Sequence, residues 1–166
     1  MARRYKALSE EIAELEAHLD GLVAQAVPEL VALQGIGTDS ATTLLIVAGD
    51  NPRRLGSEAS FASLCGVAPI EASSGKVVRH RLNRGGNREA NRALYMTCLA
   101  RMRRDSRTKE YVARRTAEGK SKREIIRCLK RYIAREVYRV LLSCEALSSP
   151  TAPRKEAQIG AGNSAA

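Results

Sequence analysis

Tryptophan does not occur in this chain, phenylalanine occurs once, at Phe61, and aromatic residues make up only 4% of the whole. A helix that lies on a membrane surface usually carries Trp or Phe on its apolar face, so that class is a poor fit. No run approaches the roughly 20 apolar residues of a membrane span. Two arginines stand near Met1, but the run that follows is charged, so no secretory leader is read. The four cysteines, Cys65, Cys98, Cys128 and Cys144, are far apart, with no C-x-x-C spacing and no paired histidine. This argues against both a zinc site and a disulfide framework, and suggests reduced core thiols in a cytoplasmic protein.

What is present is mostly Leu, Ile, Val and Ala, which must supply the core of a chain that is 44% apolar, and this suits helices. A length of 166 residues fits one domain with an appendage, or two small ones. The net charge of +10 and the pI near 9.9 point to a polyanionic partner, nucleic acid before membrane.

Tyr5, Leu8, Ile12, Leu15, Leu19, Leu22 and Ala26 alternate spacings of three and four, a heptad seam of about three repeats. The spacing predicts a coiled-coil helix over residues 1–26 that needs a partner helix, because a helix this short is marginal alone in water. Val27-Pro28 breaks it. A helical domain is expected over 27–147 and a disordered Ser/Pro/Ala/Gly-rich tail over 148–166. Within the domain, two helices flank a Gly-Ile-Gly turn, with Thr38 or Asp39 as cap of the second, and a short helix starts after Ser57 and stops at Gly66. Two short strands, 68–72 and 76–82, surround the Ser73-Ser74-Gly75 turn. Asn87 caps a helix with Ala90, Leu94, Cys98 and Met102 on one face; another helix starts near Arg107 and closes at Gly119. Ser121 and Glu124 have capping-box spacing ahead of the stripe Ile125, Leu129, Ile133, Val137, Leu141. The expected fold is mainly α, with a helix-hairpin-helix and a small β-hairpin.

Three features could carry chemistry. "LQGIGTDSA", Leu33 to Ala41, fits the helix-hairpin-helix pattern, in which Gly35 and Gly37 allow a tight turn and the next helix offers free N–H groups to a phosphate. The same pattern also serves as a plain packed hairpin. From Lys76 to Arg104, nine basic side chains face one acid, Glu89, a net +8. A solvated helix face usually mixes signs, and arginine suits bidentate phosphate contacts. Ser73 and Ser74 are ordinary turn residues on their own. Beside guanidinium groups, a serine hydroxyl also has the cationic surroundings that attack on a phosphodiester requires. Strand alternation points His80 away from Arg79 and Arg81, as a surface residue, and His18 faces solvent on the heptad helix.

The segments "ALQGIGTDSATTLLIVAGD", "FASLCGVAPIEASSGK", "RLNRGGNREANRALYMTCLARMR" and "YVARRTAEGKSKREIIRCLKRYIAREVYRVL" occur in this order. Together they resemble the C-terminal half of transposases of the insertion-sequence one-ten family, the DEDD or bridge-RNA-guided recombinases, from about Val27 to Leu142. The resemblance implies a domain whose serine attacks DNA and forms a covalent link during strand exchange. The serine directly before the glycine of the S-G motif maps to Ser74. It further implies a coiled-coil link to an N-terminal RuvC-like domain bearing four metal-binding acids, and a guide RNA that selects sequences. The RuvC-like domain is not found in this sequence, and Glu10, Glu11, Glu14, Glu16 and Asp20 on the heptad helix cannot replace its buried metal site.

The expected function is therefore DNA binding and strand exchange, in a truncated protein without its own cofactor or metal site. Ser74 is the nucleophile, and Lys76, Arg79, Arg81, Arg84, Arg88 and Arg92 bind phosphate. Gly35 and Gly37 are further nucleic-acid candidates. Expected partners are DNA, a guide RNA, and a second copy or a RuvC-like half joined through the coiled coil. The alternative is a non-catalytic binding remnant, or an inhibitor of a full-length transposase.

Overall fold

The computed structural model describes residues 1–49, 55–72, 80–81 and 83–143. Among these, seven helices and one two-stranded antiparallel ribbon follow in the order α1 (Ala2–Ala26), α2 (Pro28–Ala32), α3 (Thr38–Ala48), α4 (Glu58–Leu64), β1 (Ile70–Glu71), β2 (His80–Arg81), α5 (Arg88–Arg104), α6 (Ser106–Ala117) and α7 (Lys122–Ser143). The mainly helical class with a small hairpin is what the sequence leads one to expect.

The centre of the domain is α5. It is narrow on its inner side, where Ala90, Ala93, Leu94, Thr97 and Cys98 are buried, so α3 and α7 can approach closely. Ala41 and Leu44 of α3 are fully buried against this core. Every member of the expected α7 stripe, Ile125, Leu129, Ile133, Val137 and Leu141, is buried as well. Each such side chain stabilises the fold by roughly 1.5–3 kcal/mol through removal of apolar surface from water. Phe61 of α4 completes the core, its ring centroid 6.0 Å from that of Tyr138, whose hydroxyl donates to the Leu55 carbonyl at 2.9 Å. On the rim, the Glu58 carboxylate holds Arg131 and Arg135 of α7.

Three local expectations need correction. Neither Thr38 nor Asp39 caps α3; Gly37 occupies the cap position, without any side-chain bond. The Thr38 hydroxyl instead donates to the Asp20 carboxylate of α1. Gly37 is also not a tight-turn glycine, since its φ of −94° and ψ of 173° are extended backbone with open space around it. The helix expected near Arg107 starts one residue earlier. Asp105 is its cap, accepting from Thr108 N at 2.9 Å and Thr108 Oγ1 at 2.5 Å.

Along α1 the heptad residues are uncovered: Tyr5, Leu8, Ile12, Leu15, Leu19 and Leu22 are all exposed, Leu22 at 63%. Only its last turn joins the core, where Val23 and the following Val27 are buried. Pro28 then opens α2, where its missing N–H costs nothing. The expected tail at 148–166 lies outside the described residues.

Candidate nucleic-acid interface

The site is built on a meeting of two glycines. Ser57 caps α4, accepting from Ser60 N at 3.1 Å, and the helix ends in a turn where Gly66 has φ +65°. The Gly85-Gly86 turn packs directly on it. A Cβ on Gly86 would lie 2.2 Å from Gly66 N and 2.3 Å from its Cα, so no side chain fits there. Asn87 N donates to the Leu64 carbonyl at 2.7 Å, and the Asn87 side chain caps α5 by accepting from Ala90 N at 3.0 Å. The Asn91 amide then donates to the Cys65 and Gly66 carbonyls at 2.9 and 3.1 Å. Its oxygen accepts from Lys130 Nζ at 2.8 Å.

Between these segments the chain forms the ribbon, with Ile70 opposite Arg81 and Glu71 opposite His80. The stretch that carries Ser73 and Ser74 therefore leaves and re-enters the described structure beside Arg81. Ser73, Ser74, Lys76 and Arg79 themselves lie outside the described residues.

Of the basic residues read from the sequence, Arg81, Arg84, Arg88 and Arg92 are all exposed. Arg81, Arg84 and Arg88 have no carboxylate partner among the described residues, and Arg92 has only the loose, exposed pair with Glu89 at 3.8 Å. Such a pair is worth little. Arg101 is different in kind. Its side chain is only 11% exposed, and it binds Glu136 at 2.7 Å and the Gln34 carbonyl at 2.6 Å. The structure thus separates a fold-stabilising arginine from four that face water. His80 and His18 are exposed, as expected.

The Gly35 turn is not part of this face. Gly35 has φ +80°, and a Cβ there would meet Arg101 Cγ at 3.1 Å and the Thr97 carbonyl at 3.3 Å, so the turn is docked on α5. The start of α3 is flanked by the Asp20 and Asp39 carboxylates. An anion arriving at those N–H groups would meet two negative charges. Ala41 packs in the core, in keeping with a plain helix hairpin.

Sequence reasoning missed Asn83, Asn91, Lys130 and Arg127. Asn83 Oδ1 accepts from Gly85 N at 2.9 Å and shapes the glycine turn. Arg127 reaches from α7 to the His80 carbonyl at 3.5 Å, adding a cation beside the ribbon. Lys130 is only 7% exposed and has no carboxylate within reach among the described residues. Burial lowers its pKa, and Arg127 adds to the effect against an opposing pull from Cys98. One signal was visible: Asn83, Asn87 and Asn91 recur every fourth residue, in step with Arg84, Arg88 and Arg92. The Asn91–Lys130 contact has no such signature.

The Cys65 and Cys98 thiols are buried in the core, and Cys128 is half-buried. Burial pushes Cys65 up to about 12 and Cys98 up to about 11, which makes both poor nucleophiles at neutral pH. Among the described residues no group of three or more His, Cys, Asp or Glu is placed to hold a metal ion. No described helix is long and apolar enough to cross a membrane.

The described residues thus form a helical domain in which Arg81, Arg84 and Arg88 are exposed without a described acid partner. Residues 28–113 match the family model described as Transposase IS116/IS110/IS902 family. That match spans more than half of the chain, and the chain belongs to this family. A relative from Streptomyces coelicolor, described as the insertion element IS110 uncharacterized 43.6 kDa protein, is 32% identical over 124 residues. The aligned region covers 73% of this chain and 30% of that relative.

Proposed function

We propose that this domain binds DNA and takes part in strand exchange, with Ser74 as the nucleophile toward a DNA phosphodiester. The observation that carries the reading is the arginine face. Arg81, Arg84 and Arg88 have no acid partner among the described residues, and this face borders the two chain ends between which Ser74 lies in the sequence. Membership of a transposase family makes DNA the polyanion of first choice.

In this reading the Ser74 oxygen forms a P–O bond to a backbone phosphate as one P–O bond to deoxyribose breaks. The strand leaves as a deoxyribose hydroxyl that takes up the equivalent of the serine proton. Arg81, Arg84, Arg88 and Arg92, with Lys76 and Arg79, hold successive phosphates and neutralise charge that develops on the oxygens of the attacked phosphate. Gly35 and Gly37 take no part in the grip, because their turn is docked on α5 beside two carboxylates. A guide RNA is a second polyanion that the same chemistry would accept. The uncovered heptad face of α1 pairs with another helix, either from a second copy or from a RuvC-like half that supplies the divalent metal chemistry.

The serine assignment is tested by incubating the chain, co-expressed with a RuvC-like half, with cognate element-end DNA and resolving denaturant-stable protein–DNA adducts. Ser74→Ala abolishes the adduct and Ser73→Ala retains it. Equal adduct yields from wild type and Ser74→Ala would refute the assignment. Binding without any adduct, in wild type and variants alike, would favour the non-catalytic module.

A further inference from the structure

Beside the glycine contact lies a cavity of about 230 Å³, lined by Gly66, Asn83, Arg84, Gly86, Asn87, Arg88 and Asn91. The hydrogen-bonding capacity left in it is one-sided. Asn83 Oδ1 is engaged by Gly85 N, Asn87 Oδ1 by Ala90 N, and Asn91 Oδ1 by Lys130 Nζ. Every asparagine oxygen on the wall is thus already accepting. The side-chain amide N–H groups of Asn83 and Asn87 have no partner among the described residues, and neither do the guanidinium groups of Arg84 and Arg88. No carboxylate lines the cavity. Lys130, more than nine-tenths buried, donates to Asn91 of the wall and has no counter-charge among the described residues. Burial disfavours the charged form of Lys130, and an anion seated nearby would offset that cost.

We propose that this cavity is a seat for a single phosphate group, with Asn83, Asn87, Arg84 and Arg88 as direct donors and Lys130 holding Asn91 in place behind it. The inference deepens the DNA-binding reading and rests on it for the source of the phosphate, a nucleic-acid backbone. It adds Asn83, Asn87, Asn91 and Lys130 to the interface.

Asparagine-to-aspartate changes isolate this chemistry from the fold. In Asn87→Asp the carboxylate still accepts from Ala90 N, and Asp is as good an N-cap as Asn. In Asn83→Asp the bond to Gly85 N likewise survives. Each change replaces a donor in the seat by a charged acceptor. The full chain, labelled with ¹⁵N, is titrated with inorganic phosphate against chloride at equal ionic strength. Saturable shifts are expected at the backbone amides of residues 85–88 and at the Asn83 and Asn87 side chains. Phosphate affinity should fall at least about tenfold in either variant, as befits the loss of a charge-assisted hydrogen bond, with unchanged melting temperature. DNA affinity should also fall further than in Gln25→Glu, which adds the same charge at an exposed position of α1 that does not line the cavity. Phosphate binding by Asn83→Asp and Asn87→Asp equal to wild type, or no saturable shift in wild type, would overturn the seat. DNA binding by both variants no weaker than Gln25→Glu would overturn the seat and leave DNA binding intact. Phosphate binding in the cavity by a chain that ignores DNA would sustain the seat and refute the DNA reading.

Discussion

Gly86→Ala should damage the fold far more than a methyl group suggests. The added Cβ would sit 2.2 Å from Gly66 N, 2.3 Å from Gly66 Cα and 2.9 Å from the Ser63 carbonyl, all backbone atoms that no rotamer change can move. Carbon atoms in contact prefer about 3.5 Å or more, so the two turns must separate by roughly 1 Å. The Asn87 N–Leu64 O bond of 2.7 Å would then stretch past the useful range, and the Asn91 bonds to Cys65 and Gly66 would be strained with it. Overpacking costs about 1–3 kcal/mol and a lost hydrogen bond about 0.5–1.5 kcal/mol, together roughly 3 kcal/mol. In a chain of this size each kcal/mol lowers Tm by about 2–4 °C, so a fall of roughly 6–12 °C is expected in thermal unfolding followed by far-ultraviolet circular dichroism. Gly85→Ala is the control, since its Cβ would meet only Asn83 Oδ1, at an ordinary 3.4 Å. A Gly86→Ala melt within about 2 °C of wild type, or an equal fall in Gly85→Ala, would refute the packing argument.

Other outcomes follow from separate contacts. Desolvation pushes the Glu58 pKa up, but the bonds from Arg135 and Arg131 outweigh it and hold the carboxyl below its usual value of 4.5. A depressed carboxylate stabilises the fold above its unfolded pKa and loses that contribution as pH falls through the folded one. The Tm gap between wild type and Glu58→Gln should therefore narrow as pH drops below 4.5; a gap that stays constant would contradict the pairing. Ile12→Lys with Leu15→Lys should reduce self-association or capture of a RuvC-like half in sedimentation velocity without lowering the Tm of the core, because both residues are exposed. Loss of that Tm would show instead that the α1 face is packed within the chain.

Much of the architecture was legible because the signals were local and strong. The α7 stripe repeats every four residues over most of the helix, and all five of its members are buried. Asn87, Ser57 and the Ser121–Glu124 box are short-range caps whose chemistry depends on neighbours in sequence, and all three form as expected. The Gly35–Gly37 motif shows the opposite. Its pattern suits a phosphate-binding hairpin, but Asp20, brought from 18 residues away, and the docking on Arg101 are tertiary facts that no local pattern carries. Arg101 sits within a one-signed basic block, and only its partner Glu136, 35 residues on, reveals a structural ion pair. The same distance hid Lys130 behind Asn91, 39 residues apart.

Everything assigned to the arginine face depends on its holding a run of phosphates, and salt dependence of DNA binding measures that directly. Counterion release gives a slope of log K against log salt of about −0.9 per phosphate neutralised. With Arg81, Arg84, Arg88, Arg92, Lys76 and Arg79 engaged, wild type should show a slope of about −5. Replacing Arg81, Arg84, Arg88 and Arg92 together by Gln should bring it to about −2, while Arg103→Gln with Arg104→Gln should move it far less. A slope left near −5 by the fourfold change, or a shallow slope in wild type, would place the DNA elsewhere on the molecule and contradict the interface.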